Sequence, residues 1–104
     1  MAYINWTSQA LADLEAIGDF IARDASGFAQ IFVERVFEAV ERLESFPRSG
    51  RIVPEIGQEE IREIIFGSYR IVYLVSDNEI SILTVFHSSR LLKSSDLLSD
   101  LGEP

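Results

Sequence analysis

Residues 61–87 read IREIIFGSYRIVYLVSDNEISILTVFH. Three runs rich in β-branched and aromatic residues, Ile61–Phe66, Tyr69–Val75 and Ile80–His87, are separated by Gly67–Ser68 and Asp77–Asn78. Those dipeptides suit tight turns, so the stretch predicts three consecutive antiparallel strands. The turns also set the pairing. About Asp77–Asn78, Val75 is expected opposite Ile80, Tyr73 opposite Ile82 and Arg70 opposite Val85. About Gly67–Ser68, Arg70 is expected opposite Ile65 and Val72 opposite Glu63. Successive side chains alternate, which divides the sheet into two faces. One face would hold Ile64, Phe66, Tyr69, Ile71, Tyr73, Val75, Ile80, Ile82 and Phe86, with Arg62 and Thr84. The other would hold Arg70, Val72, Leu74, Leu83, Val85 and His87, with Glu63 and Ser81. The first face is the more apolar and is expected beneath the helices. On the freer second face Arg70 and His87 become diagonal neighbours, roughly 7–8 Å apart at Cα, and converge with Glu63. A guanidinium, an imidazole and a carboxylate on an open face make a candidate site. The plainer alternative is a structural ion pair between Arg70 and Glu63, since an Arg amid IVYLV is costly unless paired.

Upstream, Ala2–Trp6 reads as a short strand, and Thr7 or Ser8 offers a helix N-cap. Ala10, Leu11, Leu14, Ile17, Gly18 and Ile21 recur on one helical stripe, with Asp13, Glu15 and Asp19 opposite. Gly18 weakens that helix, so close approach of a neighbour is its expected use. Asp24–Gly27 breaks the pattern. A second helix runs from about Phe28 to Ser45, with Ala29, Phe32, Val33, Val36, Val40 and Leu43 as its apolar stripe, and ends before Pro47. The short connection predicts an antiparallel helical hairpin. Pro47–Glu60 contains two prolines and two glycines and reads as a structured loop. Downstream, Leu91–Leu101 could form a short helix, with Leu91, Leu98 and Leu101 on one side and Ser94 or Ser95 as its cap. The order β-α-α-β-β-β predicts an α+β domain: a helical hairpin packed on one face of a mainly antiparallel sheet, with a short C-terminal helix.

A chain of 104 residues is one domain's worth. Residues 1–90 are expected to form its body and 91–104 a leucine-containing tail. Cysteine is absent, which excludes disulfides and thiolate metal sites and is compatible with a reducing compartment. MAYINWTSQ lacks the basic and apolar segments of a signal peptide, and no run approaches the roughly 20 apolar residues of a membrane span. A cytoplasmic protein without a membrane partner is therefore expected. The net charge is −8, unevenly spread. Residues 1–47 carry eight acids against three bases, residues 48–93 six of each, and residues 94–104 three acids. The acidic total argues against indiscriminate nucleic-acid binding, which rests on phosphate neutralisation. Eight of the nine bases are Arg, the better fork for phosphate or carboxylate.

Three blocks, INWTSQALADLEAIGDFIARD, FPRSGRIVPE and IREIIFGSYRIVYLVSDNEISILTVFHSSRLL, together resemble the RelE/ParE superfamily of bacterial type II toxins. The likeness spans Ile4 to Leu92, and order, spacing and length carry it more than any one block. It implies the fold derived above and a small cognate antitoxin that neutralises the toxin. It implies no metal and no cofactor. A homodimer or a toxin–antitoxin hetero-oligomer is the expected assembly.

Two branches lie within that resemblance. YoeB-like ribonucleases cut mRNA on the ribosome with a loop Glu, an Arg of the penultimate strand and a His ending the last strand. Glu55, Arg70 and His87 match those positions, with Arg51, Arg62, Glu63 and Arg90 as supporting or binding residues. The chemistry would be a base taking the ribose 2′-OH proton, Arg steadying the phosphorane and an acid protonating the leaving oxygen. Two departures count against it: Ser88 stands where a Tyr follows that His, and the chain is acidic with a single Lys. The ParE branch poisons DNA gyrase without being an enzyme. The charge balance and Ser88 tilt the reading towards it; Glu55 and Arg70 tilt the other way. A non-toxic binding module of the same fold is the third reading. Structural roles compete for each residue as well: Glu55 could hold its loop to Arg51 or Arg70, and His87 could cap its strand.

Overall fold

The computed structural model of the chain describes residues 1–89. The chain enters on β1 (Tyr3–Trp6) and forms α1 (Ser8–Ala22) and α2 (Ser26–Glu41). A single 3-10 turn at Arg42–Glu44 follows, then β2 (Arg51–Ile52), β3 (Ile61–Phe66), β4 (Tyr69–Ser76) and β5 (Glu79–His87). The strands lie in the order β1-β5-β4-β3-β2. β1 is parallel to β5, and the other neighbours are antiparallel. This is the expected α+β arrangement, with one strand more than the sequence predicts. β2 falls inside the stretch read as loop; at two residues it is too short for alternation to register. The expected helix within Leu91–Leu101 and the side chain of Arg90 lie outside the described residues.

Thr7 makes the transition from β1 to α1. Its hydroxyl accepts the Ala10 N–H at 3.2 Å, satisfying one of the helix's unpaired donors, and donates to the Ile82 carbonyl at 2.6 Å. One side chain thus caps α1 and fastens it to β5. Ala10 and Leu14 of α1 and Val36 and Val40 of α2 point into the main core, where they meet Ile71, Tyr73, Val75, Ile80, Ile82 and Val85 of the sheet. Each buried Leu, Val or Ile among them contributes about 1.5–3 kcal/mol, so this layer is what holds the hairpin to the sheet. Gly18 behaves otherwise than expected. A Cβ there would lie 3.5 Å from Val33 Cγ2, an ordinary contact, so interhelical spacing does not demand glycine.

The second sheet face, expected to be freer, carries a core of its own. Val53, Ile61, Val72, Leu83 and Phe86 are buried together, with Ile56 and Leu74 packed against them. The loop supplies the lid. Its Val53 N–H donates to the Ile61 carbonyl at 3.1 Å, and the Gly57 N–H returns to the Val53 carbonyl at 2.9 Å. Val53 and Ile56 give this Pro- and Gly-marked stretch an apolar underside, which folds it back over the sheet.

The β4–β5 ladder departs from the expected register in one place. Val75 pairs with Ile80 and Tyr73 with Ile82 as the turn dictates, but Val72 pairs with Thr84 and Arg70 with Phe86. An extra residue, Leu83, is accommodated in β5 between those pairs. A bulge of this kind reverses which face each later side chain occupies. Val85 accordingly joins the helix-side core, and Phe86 joins the core on the other side. Both were expected the other way round. On β3 the register is as the turn predicts, with Arg70 opposite Ile65 and Val72 opposite Glu63.

Candidate functional site

Arg70 sits in β4 on the loop-covered face and is 5% exposed. Charge at such a position must be matched, and three groups match it. The Glu63 carboxylate accepts from Nε at 2.6 Å. Glu55, brought over by the loop, accepts from both terminal nitrogens at 2.6 and 2.7 Å, a bidentate fork. The ring of Phe86 lies 5.0 Å from the guanidinium carbon. The hydrogen bonds it donates to Glu55, opposed by burial and reinforced by Glu63, hold the Arg70 guanidinium above its ordinary proton affinity. It is therefore a fixed cation.

Glu63 lies on β3, with its side chain fully buried. Its second oxygen accepts from Arg51 Nε at 2.5 Å, and the rest of the Arg51 side chain is well exposed. Arg51, Glu63, Arg70 and Glu55 thus form one charge-alternating chain leading from solvent into the sheet and back out to the loop. The four formal charges cancel. Arg62 works elsewhere. It donates to the carbonyls of Glu59 and Gly50 at 2.9 Å and of Arg48 at 3.3 Å, pinning the loop's two ends together.

His87 is not part of this network. Its ring packs edge-on to Tyr69, 5.6 Å between centroids, and Tyr69 in turn packs on Phe32 of α2. It therefore belongs to the helix side of the sheet, whereas Arg70 and Phe86 belong to the loop side. The bulge at Leu83 separates them. His87 Nδ1 accepts the Ser89 N–H at 3.2 Å and lies 2.8 Å from the Ser89 hydroxyl, so the ring also caps the end of its strand. The sequence-derived residues thus divide into a loop-side set, with Glu63 and Arg70 buried and Glu55 and Arg51 nearer solvent, and an exposed His87 on the opposite face. Among the described residues, no cluster of three or more His, Asp or Glu side chains could hold a metal ion.

Asp13 is the residue that sequence reading misses. It looks like part of the solvated face of α1. In the fold its carboxylate accepts from the Thr84 hydroxyl and from the Val85 N–H, the latter at 3.2 Å. Pairing with β1 ends at Ile82, so β5 has no strand on that side beyond it. Thr7 and Asp13 stand in for the missing strand by taking up the polar groups of Ile82, Thr84 and Val85. The signal was present in principle: Asp13 is the lone acid near the apolar stripe whose neighbours three and four positions away, Ala10 and Ile17, both pack into the core.

Residues 4–92 match the family described as ParE toxin of type II toxin-antitoxin system, parDE. The chain belongs to this family. It is also 34% identical over 91 residues to Toxin RelE2 of Caulobacter vibrioides, an alignment covering 88% of this chain and all of that protein. Putative toxin Y4kP of Sinorhizobium fredii is 36% identical over 88 residues, covering 82% of this chain and 86% of that one. Among solved structures, a chain of the chromosomal ParDE TA system from P. aeruginosa superposes with a TM-score of 0.71 at 26% identity, covering 84% of this chain and 96% of that one. This ParE-family chain is thus a type II toxin–antitoxin toxin by family, and the helical hairpin on its sheet is the family fold. Among the described residues, no helix is long and apolar enough to cross a membrane.

Proposed function

We propose that this ParE-family chain arrests growth by binding DNA gyrase in the cytoplasm, and that a cognate antitoxin neutralises it in a toxin–antitoxin hetero-oligomer. In this reading it is not an enzyme. One observation carries the choice over a ribonuclease. The three residues a YoeB-like mechanism would use do not share a surface: Arg70 is forked onto Glu55 and Glu63 in the interior, while His87 stands on the opposite face of the sheet. A general acid and a phosphate-steadying cation must both reach one scissile bond. Arg70 would also have to give up two carboxylates to take a phosphate. The acidic total, with a single Lys, supports a protein target over an RNA.

The test is a pair of assays on the purified chain. Gyrase incubated with plasmid and toxin should accumulate cleaved DNA, and antitoxin from the adjacent reading frame should prevent it. Programmed ribosomes given the same toxin should keep their mRNA intact. Unaltered gyrase at saturating toxin, together with cut mRNA, would replace this reading with the ribonuclease one.

A further inference from the structure

Just past β5 a hydroxyl is held against an imidazole. Ser89 Oγ lies 2.8 Å from His87 Nδ1, and both residues are exposed. The backbone decides the direction of that bond. The Ser89 N–H, which can only donate, reaches the same Nδ1 at 3.2 Å. Nδ1 therefore presents its lone pair, the ring carries its proton on Nε2, and the Ser89 hydroxyl is the donor. That is the polarity by which an imidazole takes a proton from a nucleophile. The pair is also held in place. Tyr69 packs edge-on against the ring, 5.6 Å between centroids. The Ser88 N–H donates to the Ser68 carbonyl at 2.7 Å, which fastens the segment to the β3–β4 turn.

His87 forms one wall of a surface hollow of about 410 Å³ between α1 and the end of β5. Ala16, Ile17, Phe20, Tyr69 and Val85 make it mainly apolar. Among the described residues no Lys or Arg lines it, and the one carboxylate, Asp13, is engaged by the Thr84 hydroxyl and the Val85 N–H. These features choose the chemistry. A phosphoryl donor needs cations to hold its oxygens, and the hollow offers none. An acyl chain needs an apolar bed beside the nucleophile, which the hollow supplies. We infer that Ser89 is a site of O-acylation by an acyl thioester, with His87 as general base and the acyl chain lying in the α1–β5 hollow. Ser89 Oγ attacks the thioester carbonyl carbon as its proton passes to His87 Nδ1. The C–S bond then breaks, and the departing thiolate takes that proton. The products are a serine ester and a free thiol, with no change of oxidation state. This site goes beyond the gyrase reading and does not depend on it.

The experiment treats the full-length chain with the acetyl and octanoyl thioesters of N-acetylcysteamine. Released thiol is read with a disulfide dye, a clean signal because the chain has no cysteine, and the label is located by peptide mass spectrometry. One equivalent of thiol should appear, with the ester on Ser89 and the octanoyl donor about tenfold faster than the acetyl one. Ser89→Ala should lose the label. His87→Gln keeps the hydroxyl and should slow labelling about a hundredfold, within the range a general base supplies. Ala16→Phe, at an exposed position, fills the hollow and should cancel the octanoyl advantage. Circular dichroism melts establish that each variant folds. Label confined to Lys93 or the amino terminus, thiol release without a serine ester, or an undiminished rate in His87→Gln each overturns the proposal. An octanoyl advantage that survives Ala16→Phe overturns the placement of the acyl chain. None of these outcomes touches the gyrase and antitoxin assays, so the two readings fail separately.

Discussion

The guanidinium of Arg70 lies on the ring of Phe86, 5.0 Å from its centre, and the next residue, His87, points to the other side of the sheet. That relationship follows from one additional residue in β5. Without it, Arg70 would face Val85, and Arg70 and His87 would share a face. With it, the cation held by two carboxylates gains an aromatic platform as well, and the imidazole is left on the rim beside Tyr69.

The bulge is anchored from α1, so removing the anchor should loosen it. Asp13→Ala strips the acceptor from the Thr84 hydroxyl and the Val85 N–H. The expected loss is about 1–3 kcal/mol, the cost of unmatched polar groups at a partly buried site. Urea unfolding measures the loss, and amide exchange at Val85 should accelerate ahead of the rest of β5. Unchanged exchange at Val85 would refute the anchoring role.

Arg70→Met leaves Glu63 buried without its inner partner. Breaking a buried pair from one side typically costs about 3–5 kcal/mol, which is a large share of a small domain's stability. His87→Gln touches an exposed ring and should move the unfolding free energy by no more than about 0.5 kcal/mol. The two values, measured side by side by urea denaturation, separate the interior residue from the rim residue. Similar losses at both sites would contradict the division of the site.

Gly50 is held against β3 and β4. Its N–H donates to the Tyr73 hydroxyl at 2.9 Å, and a Cβ there would stand 2.5 Å from the Glu63 carbonyl and 2.6 Å from the Tyr73 oxygen. Backbone cannot yield that far, so Gly50→Ala should destabilise by about 1–3 kcal/mol. Gly18→Ala, with an ordinary contact at the same atom, should be neutral or stabilising, since alanine is the better helix former. Thermal melts of the two alanine variants decide the matter, and equal midpoints would count against the close approach at Gly50.

Burial raises the Tyr73 phenol above its ordinary value of 10.0, with the Gly50 N–H and the nearby Arg62 and Arg48 working in the opposite sense. The folded chain therefore holds this proton more tightly than the unfolded chain does. The associated stability is fully present below the unfolded value and is lost as pH rises through the folded one. Unfolding free energy should fall on the alkaline side of pH 10, and Tyr73→Phe should flatten that limb. In an ultraviolet titration of the native protein, the ionisation that disappears in Tyr73→Phe should lie above the ordinary phenol value.

Most of the architecture was legible because it rests on long periodic runs. The stripes of both helices and the three strands of residues 61–87 are each several residues deep, and their turns carry Gly or Asp-Asn. The bulge was not legible, since Leu83, Thr84 and Val85 all favour extended backbone and one added residue leaves no trace in composition. The lid over the second face was hidden for a related reason. Val53 and Ile56 are too few to form a pattern among prolines and glycines. The pairing of Arg70 with Glu63 could be foreseen from cross-strand spacing. Glu55 was foreseen as a loop residue within reach of Arg70, but its bidentate geometry depends on the path of that loop.

β1 is sewn in parallel to β5, with Tyr3 beside Glu79 and Trp6 beside Ile82. The first strand made has no partner until nearly the whole described chain has been translated. At bacterial elongation rates that is a wait of roughly 4–15 seconds for the intervening segment. During that interval the helices emerge with their apolar stripes uncovered. Closure of the sheet is thus deferred until β5 has been made, long after β1 and both helices.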